Sequence, residues 1–411
     1  MNNQRSNQTK IAYVLSAFPS LSETFILQEI LELERQGLQL CLFSLEKPSA
    51  GVVVDAAQDL QASITYFRQS SLPILIGAAI RRFFKAPLRF LRTTLALLIH
   101  YRQCSVFRHI LYAAYLANQL KHEGITHVHA HYATAPTSIA QSTYLLADIP
   151  YSFTAHAYDI YLSPKAVLAY KMQMARFVAT CTQYNQQYLK GLVDQCLGEY
   201  IHCIYHGLNL PAFPSEIPNI STIQAPPLIL TVSRLVEKKG LSYLLQACKT
   251  LKDEGYDFTC RIVGEGPLRQ ALEQEIRELK IGDRVELHGA ETHERVVEMY
   301  QQATISTLPC IIDKNGDRDG IPNVLVEALA IGIPVVSTPV SGVPELITSE
   351  VNGLLVPPND SEALASALAR LLDDPSLRCR LAVAGRQTVV SNFDMRRNVK
   401  YLMNLFRTTP L

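Results

Sequence analysis

"DGIPNVLVEALAIGIPVVSTPVSGVPEL", residues 319–346, reads in succession as loop, apolar helix, Gly-Ile-Pro turn, short apolar strand and a second Gly-Val-Pro turn. A helix running straight into a continuous apolar strand is half of an α/β repeat. Working outward, the same alternation continues. "LILTVSR" (228–234), "FTCRIVG" (258–264), "VELHG" (285–289) and "TISTL" (304–308) read as strands, and "LSYLLQACKTLKDE" and "LRQALEQEIREL" between them as amphipathic helices. Strands that are apolar on both faces predict a doubly wound parallel sheet covered by helices. The first half repeats the theme in "IAYVLSAF", "LQLCLFSL", "HVHAHY", "YSFTAHA", "FVATCT" and "YIHCIYHG". The fold class is therefore α/β, with two Rossmann-like doubly wound domains.

Between the halves, "NLPAFPSEIPNISTIQAPP" (209–227) carries no hydrophobic period and is rich in proline, so it reads as the interdomain linker. The expected domains are 1–214 and 215–392, with a terminal helix at about 393–411 returning to the first. Ligands of open α/β sheets sit beyond the carboxyl ends of the strands. The expected site is thus a cleft between the two domains.

With 38 basic and 37 acidic side chains, net charge points to no polyanionic partner. Nine cysteines without a CxxC pair suggest reduced thiols rather than zinc or disulfides. The polar start "MNNQRSNQTK" is not an export signal, and no apolar run reaches the length of a spanning helix, so a cytoplasmic protein is expected.

The quoted stretch also carries chemistry. Pro322 suits the first turn of a helix, Asp319-Gly320-Ile321 lets backbone approach a ligand, and the free amides near Asn323 and Val324 form a natural phosphate seat. Glu327 lies roughly 7 Å further along the axis. Its apolar neighbours imply that its carboxylate needs a partner, a ribose hydroxyl being the reading favoured. "SRLVEKKG" (233–240) follows a strand directly, which places Arg234 and one of Lys238 or Lys239 where a diphosphate would be clamped. "VGEGPL" lacks the third glycine of a dinucleotide fingerprint, so Gly264, Glu265 and Gly266 are expected to let a nucleotide approach a strand end.

In order, "VSRLVEKKG", "VGEGPL", the acid pair Asp319 and Glu327, "PVVSTPVSGVPELI" and "NGLLVPP" resemble the retaining nucleotide-sugar glycosyltransferases of the GT-B fold, family four. The resemblance implies that Arg234 and Lys239 hold the donor diphosphate, Glu327 the ribose hydroxyls and Asp319 the donor sugar. Asp319 departs from the glutamate usual there. His156, ending "FTAHA", matches the family's histidine near the donor sugar. "FPSLSETF" (18–25) resembles the subset that builds exopolysaccharide or colanic-acid-type repeats, with Ser22 and Glu23 facing either the acceptor or the donor phosphates. Ser20 and Glu23 also have capping-box spacing. "IYHGLN" ends in Asn209 where the family's turn usually ends in Asp.

His127, His129 and His131 share one strand face. A three-histidine metal site is set aside because no carboxylate spacing accompanies it, and His131 is placed at the cleft. "DKNGDRDG" (313–320) opens like a calcium loop but has Arg318 at the glycine position and Val324 at the glutamate position. No metal and no other cofactor are expected.

From residue 60 to 122 there is no Asp or Glu, while nine Arg and Lys lie between Arg68 and Lys121. Arg81, Lys85, Arg89 and Arg92 recur beside an apolar stripe of Ile80, Phe84, Leu88, Leu91, Leu95 and Leu98, with Pro87 dividing the helix. The expected partner of the block 68–121 is an anionic membrane surface, as suits a lipid-linked saccharide acceptor; nucleic acid is disfavoured. Transfer from a nucleotide diphosphate sugar, UDP-linked as the commonest case, is the activity expected. A nucleotide-sugar epimerase and a non-catalytic scaffold are the alternatives.

Overall fold

Strand β1 (Lys10–Ala17) seeds the first sheet because its residues are apolar on both sides: Ala12 and Val14 enter one core, Ile11, Tyr13 and Leu15 the other. In this computed structural model the described residues are 10–20, 23–48, 55–101, 105–214, 216–217 and 226–408. After β1 come α1 (Thr24–Arg35), β2 (Gln39–Glu46) and β3 (Ile64–Tyr66). Three helices follow, α2 (Leu72–Lys85), α3 (Pro87–Tyr101) and α4 (Ser105–Glu123). The rest of the sheet is built from β4 (His127–His131), α5 (Ala135–Ala147), β5 (Tyr151–Ala155), α6 (Ala157–Tyr161) and α7 (Lys165–Gln173). It closes with β6 (Val178–Thr180), α8 (Gln183–Lys190), α9 (Gln195–Gly198) and β7 (Ile201–Cys203). The seven strands are parallel in the order β3-β2-β1-β4-β5-β6-β7.

The second sheet starts at β8 (Leu228–Val232), followed by α10 (Leu241–Asp253), β9 (Thr259–Val263), α11 (Arg269–Leu279) and β10 (Val285–Gly289). Then come α12 (His293–Gln302), β11 (Ile305–Leu308), α13 (Asn323–Ile331), β12 (Val335–Ser337), α14 (Val343–Leu346) and β13 (Leu354–Leu355). Its parallel order is β10-β9-β8-β11-β12-β13, with α15 (Ser361–Asp373) and α16 (Pro375–Asn392) completing the layers. The last helix, α17 (Met395–Thr408), packs on α1 and buries Val399, Leu402, Met403 and Phe406 in the core of the first unit. One compact unit comprises residues 1–181, 185–205 and 395–411; the other comprises 182–184 and 206–394.

Each sheet reverses direction beside its first strand, between β1 and β4 and between β8 and β11. These switch points open a crevice at the carboxyl ends, where loops from both sides can reach one ligand. Both carry the residues singled out in the sequence.

Three local expectations change. The three-residue β3 was not anticipated. The helix after "FPSLSETF" starts at Thr24, so Glu23 is itself the N-cap residue and forms no side-chain cap, and the Ser20 carbonyl accepts a turn bond from the Glu23 amide at 3.4 Å. Pro322 is the N-cap of α13 rather than its first helical residue. The division at Pro87 is seen, since α2 ends at Lys85 and α3 begins at Pro87. Ser22, Arg102 and linker residues 218–225 lie outside the described residues. Among the described residues no helix is long and apolar enough to cross a membrane.

Candidate active site

In the second unit the β8–α10 and β11–α13 loops flank the switch point. The turn Glu237–Lys239 follows Val236, and Gly240, at φ 64°, ends it because a Cβ there would come within 2.0 Å of the Pro309 carbonyl. That close approach fixes the lysines against the second loop. Lys239 Nζ donates to Asp319 Oδ2 at 2.6 Å, and Lys238 Nζ reaches Asp317 Oδ1 at 3.1 Å and Asp319 Oδ1 at 3.4 Å. Both lysines are buried. Burial alone would push the Asp319 carboxyl up, but Lys239 and then Lys238 overcome it and hold it below the ordinary carboxylate range. Burial alone would lower the Lys239 ammonium, but Asp319 raises it. The sequence admitted one lysine; the fold uses both.

Arg234 is exposed and, among the described residues, has no ionic partner, while lying close enough to Lys239 to depress its ammonium. The first-turn amides of α13, at Asn323 and Val324, have no acceptor in their own helix. Two hydroxyls in the loops after β8 and β12, Ser233 Oγ and Ser341 Oγ, are buried without a hydrogen-bond partner. A buried orphan hydroxyl next to an unpaired guanidinium, as at Ser233–Arg234, suits an anionic ligand, as do helix-start amides with no acceptor.

Glu327 is largely buried on α13, and its partner is a protein group that the sequence did not reveal: His293 Nε2, 3.6 Å from Oε1, at the start of α12. Its pairing with Glu327 raises the His293 imidazole above its ordinary range against the opposing effect of burial. Gly264 and Gly266 admit a close approach of a neighbouring loop. A Cβ at Gly264 would meet the Ser233 carbonyl at 1.9 Å and one at Gly266 the Leu235 carbonyl at 2.5 Å, so these glycines let the β9–α11 loop seat the Arg234 loop. The contact is sealed by Leu235 N–H to Glu265 O at 3.0 Å, and the Glu265 carboxylate pairs with Arg269 at 2.6 Å. Gly320 and Ile321 lie in the loop leading to Pro322. In the would-be calcium loop, Asp313 Oδ1 accepts from the amides of Asn315 and Asp317, which turns it inward.

In the first unit the histidines line β4. His127 Nε2 contacts Ser152 Oγ at 2.7 Å, and His129 contacts Ser152 Oγ and Thr154 Oγ1 at 2.8 and 3.0 Å. Burial lowers the imidazole of His127 to about 3 and holds that of His129 well below its ordinary value. Both are neutral and structural. His131 differs: Nε2 lies 3.0 Å from Glu29 Oε1, and Nδ1 is 3.4 Å from His156 Nε2. The carboxylate missing from the strand comes from α1; Glu29, His129 and His131 could face one ion, but His129 already has both ring nitrogens engaged. Glu23 hydrogen-bonds Tyr132, just past His131. His156 is the N-cap of α6 and rests against Phe25 and Tyr132, with ring centroids 5.2 and 4.5 Å apart.

Asp159, to which the sequence gave no role, fixes this corner. Its carboxylate accepts from the Ala133 amide and, at 2.7 Å, from the His156 amide, while Lys171 Nζ donates to the carbonyls of Ala133 and Thr134 at 2.6 and 2.9 Å. Ala133 is thus clamped from both ends. Burial pushes Asp159 up to about 7 against those amide bonds, and pushes Lys171 down to about 7.

Two Rossmann-like units, the second with a lysine–aspartate pair, an open helix start and a partnered glutamate around its switch point, define the GT-B class. Solved structures share the arrangement. A glycosyltransferase from Rickettsia africae superposes with a TM-score of 0.73 at 19% identity over 98% of both chains. Anabaena Alr3699/HepE in complex with UDP gives 0.73 at 18% identity, over 97% of this chain and 100% of that one. At such identities the likeness shows the fold. Residues 215–388 match the family model for glycosyl transferases group 1. The putative colanic acid biosynthesis glycosyltransferase WcaL of Salmonella typhimurium is 39% identical over 182 residues, 44% of this chain and 45% of that protein. The amylovoran biosynthesis glycosyltransferase AmsK of Erwinia amylovora is 36% identical over 199 residues, 48% of each. The chain matches about half the length of these curated relatives. The match to the group 1 glycosyl transferases falls on its second unit, and over the rest of the chain the likeness is one of fold.

Proposed function

We propose that the protein is a retaining glycosyltransferase that moves a hexose-type sugar from a nucleoside diphosphate sugar to a saccharide acceptor in exopolysaccharide or other cell-surface polysaccharide assembly. The polysaccharide pathways for which WcaL and AmsK are named support the polysaccharide, and the UDP complex of Alr3699/HepE supports a UDP-sugar donor. Residues 215–392 would bind the donor and residues 1–214 the acceptor. Arg234, Lys239 and the α13 amides receive the diphosphate, Glu327 the ribose, and Asp319 and His156 the sugar. Glu23 and His131 serve the acceptor side. A lipid-linked acceptor would hold the enzyme peripherally on the cytoplasmic face of the membrane, through the region 68–121.

The chemistry follows from charge. As the anomeric bond breaks, negative charge grows on the diphosphate and positive charge on the sugar; Arg234 and Lys239 stabilise the first in place of a metal ion. The acceptor attacks from the side the diphosphate leaves, and the departing phosphate oxygen takes its proton. The observation that carries the reading is the unpaired Arg234 beside the Lys239–Asp319 pair and the open α13 start. Arg234→Ala and Lys239→Ala should each slow transfer by about 10²–10³-fold. UDP should raise the melting temperature of the native protein more than GDP or ADP does. Near-normal transfer by both variants would remove the assignment.

A further inference from the structure

Among the described residues of the first unit, the exposed large apolar side chains gather along α2 and α3. On α2, Leu72, Ile76, Ile80 and Phe84 recur every four residues and are all exposed, Phe84 at 78%. On α3, Leu88, at 71%, begins a second row with Leu91, Leu95 and Ile99. The opposite faces are also apolar and already covered: Leu75 and Ala79 join the core with α4, and Leu97 packs with Val106 and Ile110. Two consecutive helices that are apolar on both faces need a second covering. The stripe expected beside the basic residues is thus itself the outer surface.

The basic block divides in a matching way. Arg82 is buried and donates to the Ala117 carbonyl at 3.3 Å, Arg89 pairs with Asp148, and Arg68 pairs with Glu46 at 3.0 Å. Arg81, Lys85 and Arg92 remain exposed, without an acidic partner among the described residues, and each is next in sequence to a residue of the apolar rows. A second copy of this chain on the same surface would set these cations against their own kind. A bilayer offers an apolar interior and anionic headgroups at one boundary.

We propose that α2 and α3 lie in the surface of an anionic bilayer, with the rows around Phe84 and Leu88 among the acyl chains and Arg81, Lys85 and Arg92 at the headgroups. The inference deepens the lipid-linked reading of the acceptor, yet it stands on this surface alone. It also reverses the ranking that charge suggests: apolar insertion supplies most of the affinity, and the cations select the lipid.

Flotation of the full chain with phosphatidylcholine vesicles, with and without phosphatidylglycerol, tests it. Wild type should bind the anionic vesicles and lose only a few-fold in partitioning at about 0.5 M salt, where charge is screened over roughly 4 Å. Phe84→Ser with Leu88→Ser should lower partitioning on the order of tenfold or more, and Arg81→Ser with Lys85→Ser should erase the preference for phosphatidylglycerol. A fluorophore on Phe84→Cys should shift to the blue with vesicles, which reads insertion even if a serine variant folds poorly. No flotation, unchanged binding by the serine variant, or a wild-type dimer that the serine variant dissolves would each overturn the proposal. Calorimetry with UDP on the same proteins keeps a failed donor reading distinct from a failed membrane one.

Discussion

At the switch point of the second sheet charge answers charge, whereas at that of the first it is either neutral or held against backbone. Lys239 and Asp319 drive each other toward their ionised forms, and Lys238 adds to the hold on Asp319. His127 and His129 are driven toward neutrality, and Asp159 and Lys171 are left near 7. Burial is common to both places. The difference is partner distance: Asp319 has ammonium groups at 2.6 and 3.4 Å, while no ion pair joins Asp159 to Lys171 among the described contacts. One sheet end holds permanent charge. The other is a hydrogen-bonded, weakly charged corner, with Glu23 and Glu29 at its rim.

The sharpest way to break this comparison is Asp319→Ala. Removing the acid leaves two buried ammonium groups without their shared carboxylate, and stability should fall by about 3–5 kcal/mol in urea unfolding at neutral pH. The pair's own pH window is wide. Asp319, with its carboxyl held low, contributes stability above its unfolded value of 3.8 that is lost as pH falls through the folded one. Lys239, held high, contributes stability below 10.5 that is lost as pH rises through its folded value. Between those limits the wild-type contribution should be flat, and a strong slope near neutrality removed by Asp319→Ala would refute the assignment.

Asp159→Asn probes the opposite case. With its folded value raised from 3.8 to about 7, wild-type Asp159 prefers to be protonated when folded, so its contribution declines as pH rises across that window. Asparagine cannot ionise. The variant's stability relative to wild type should therefore improve from pH 4 to pH 8 by a few kcal/mol at most. Loss of the carboxylate from Lys171 works in the same direction, since an uncompensated buried ammonium is most costly at low pH. A gap that stays constant with pH would show that Asp159 is ionised throughout.

The second unit was legible because its pattern is local. Strand, loop, helix and the spacing of Arg234, Lys239, Asp319 and Glu327 all lie within short windows, and the parallel order puts their loops together. What escaped depends on partners distant in sequence. Asp159 and Lys171 act on the backbone of Ala133, His293 meets Glu327 from a neighbouring helix, and Glu29 reaches His131 from α1. Lys238 was obscured by adjacency, since two consecutive lysines in a turn can reach one acid from different sides. The α2–α3 stripe was legible as an apolar row but not as an outward one: periodicity does not say which of two apolar faces meets the core, and here small Ala78 and Ala79 lie on the covered face while the bulky row stayed outside.

His293 gives the smallest effect and the finest test of the contrast, because it brings a titrating group to the permanently charged sheet end. Pairing with Glu327 raises its imidazole above 6.5, so the interaction is fully present below 6.5 and is lost as pH rises through the folded value. Protonated His293 holds the carboxylate proposed to receive ribose. Neutral His293 releases part of that hold and leaves Glu327 more acceptor capacity for the two hydroxyls. Calorimetric affinity for UDP in wild type should thus tighten about two- to five-fold between pH 6 and pH 8, whereas His293→Gln should show a flat profile at the tighter level. If the variant keeps the wild-type slope, the titrating group lies elsewhere and the second sheet end is as fixed in charge as its lysines imply; if UDP affinity is lost altogether, His293 touches the nucleotide itself.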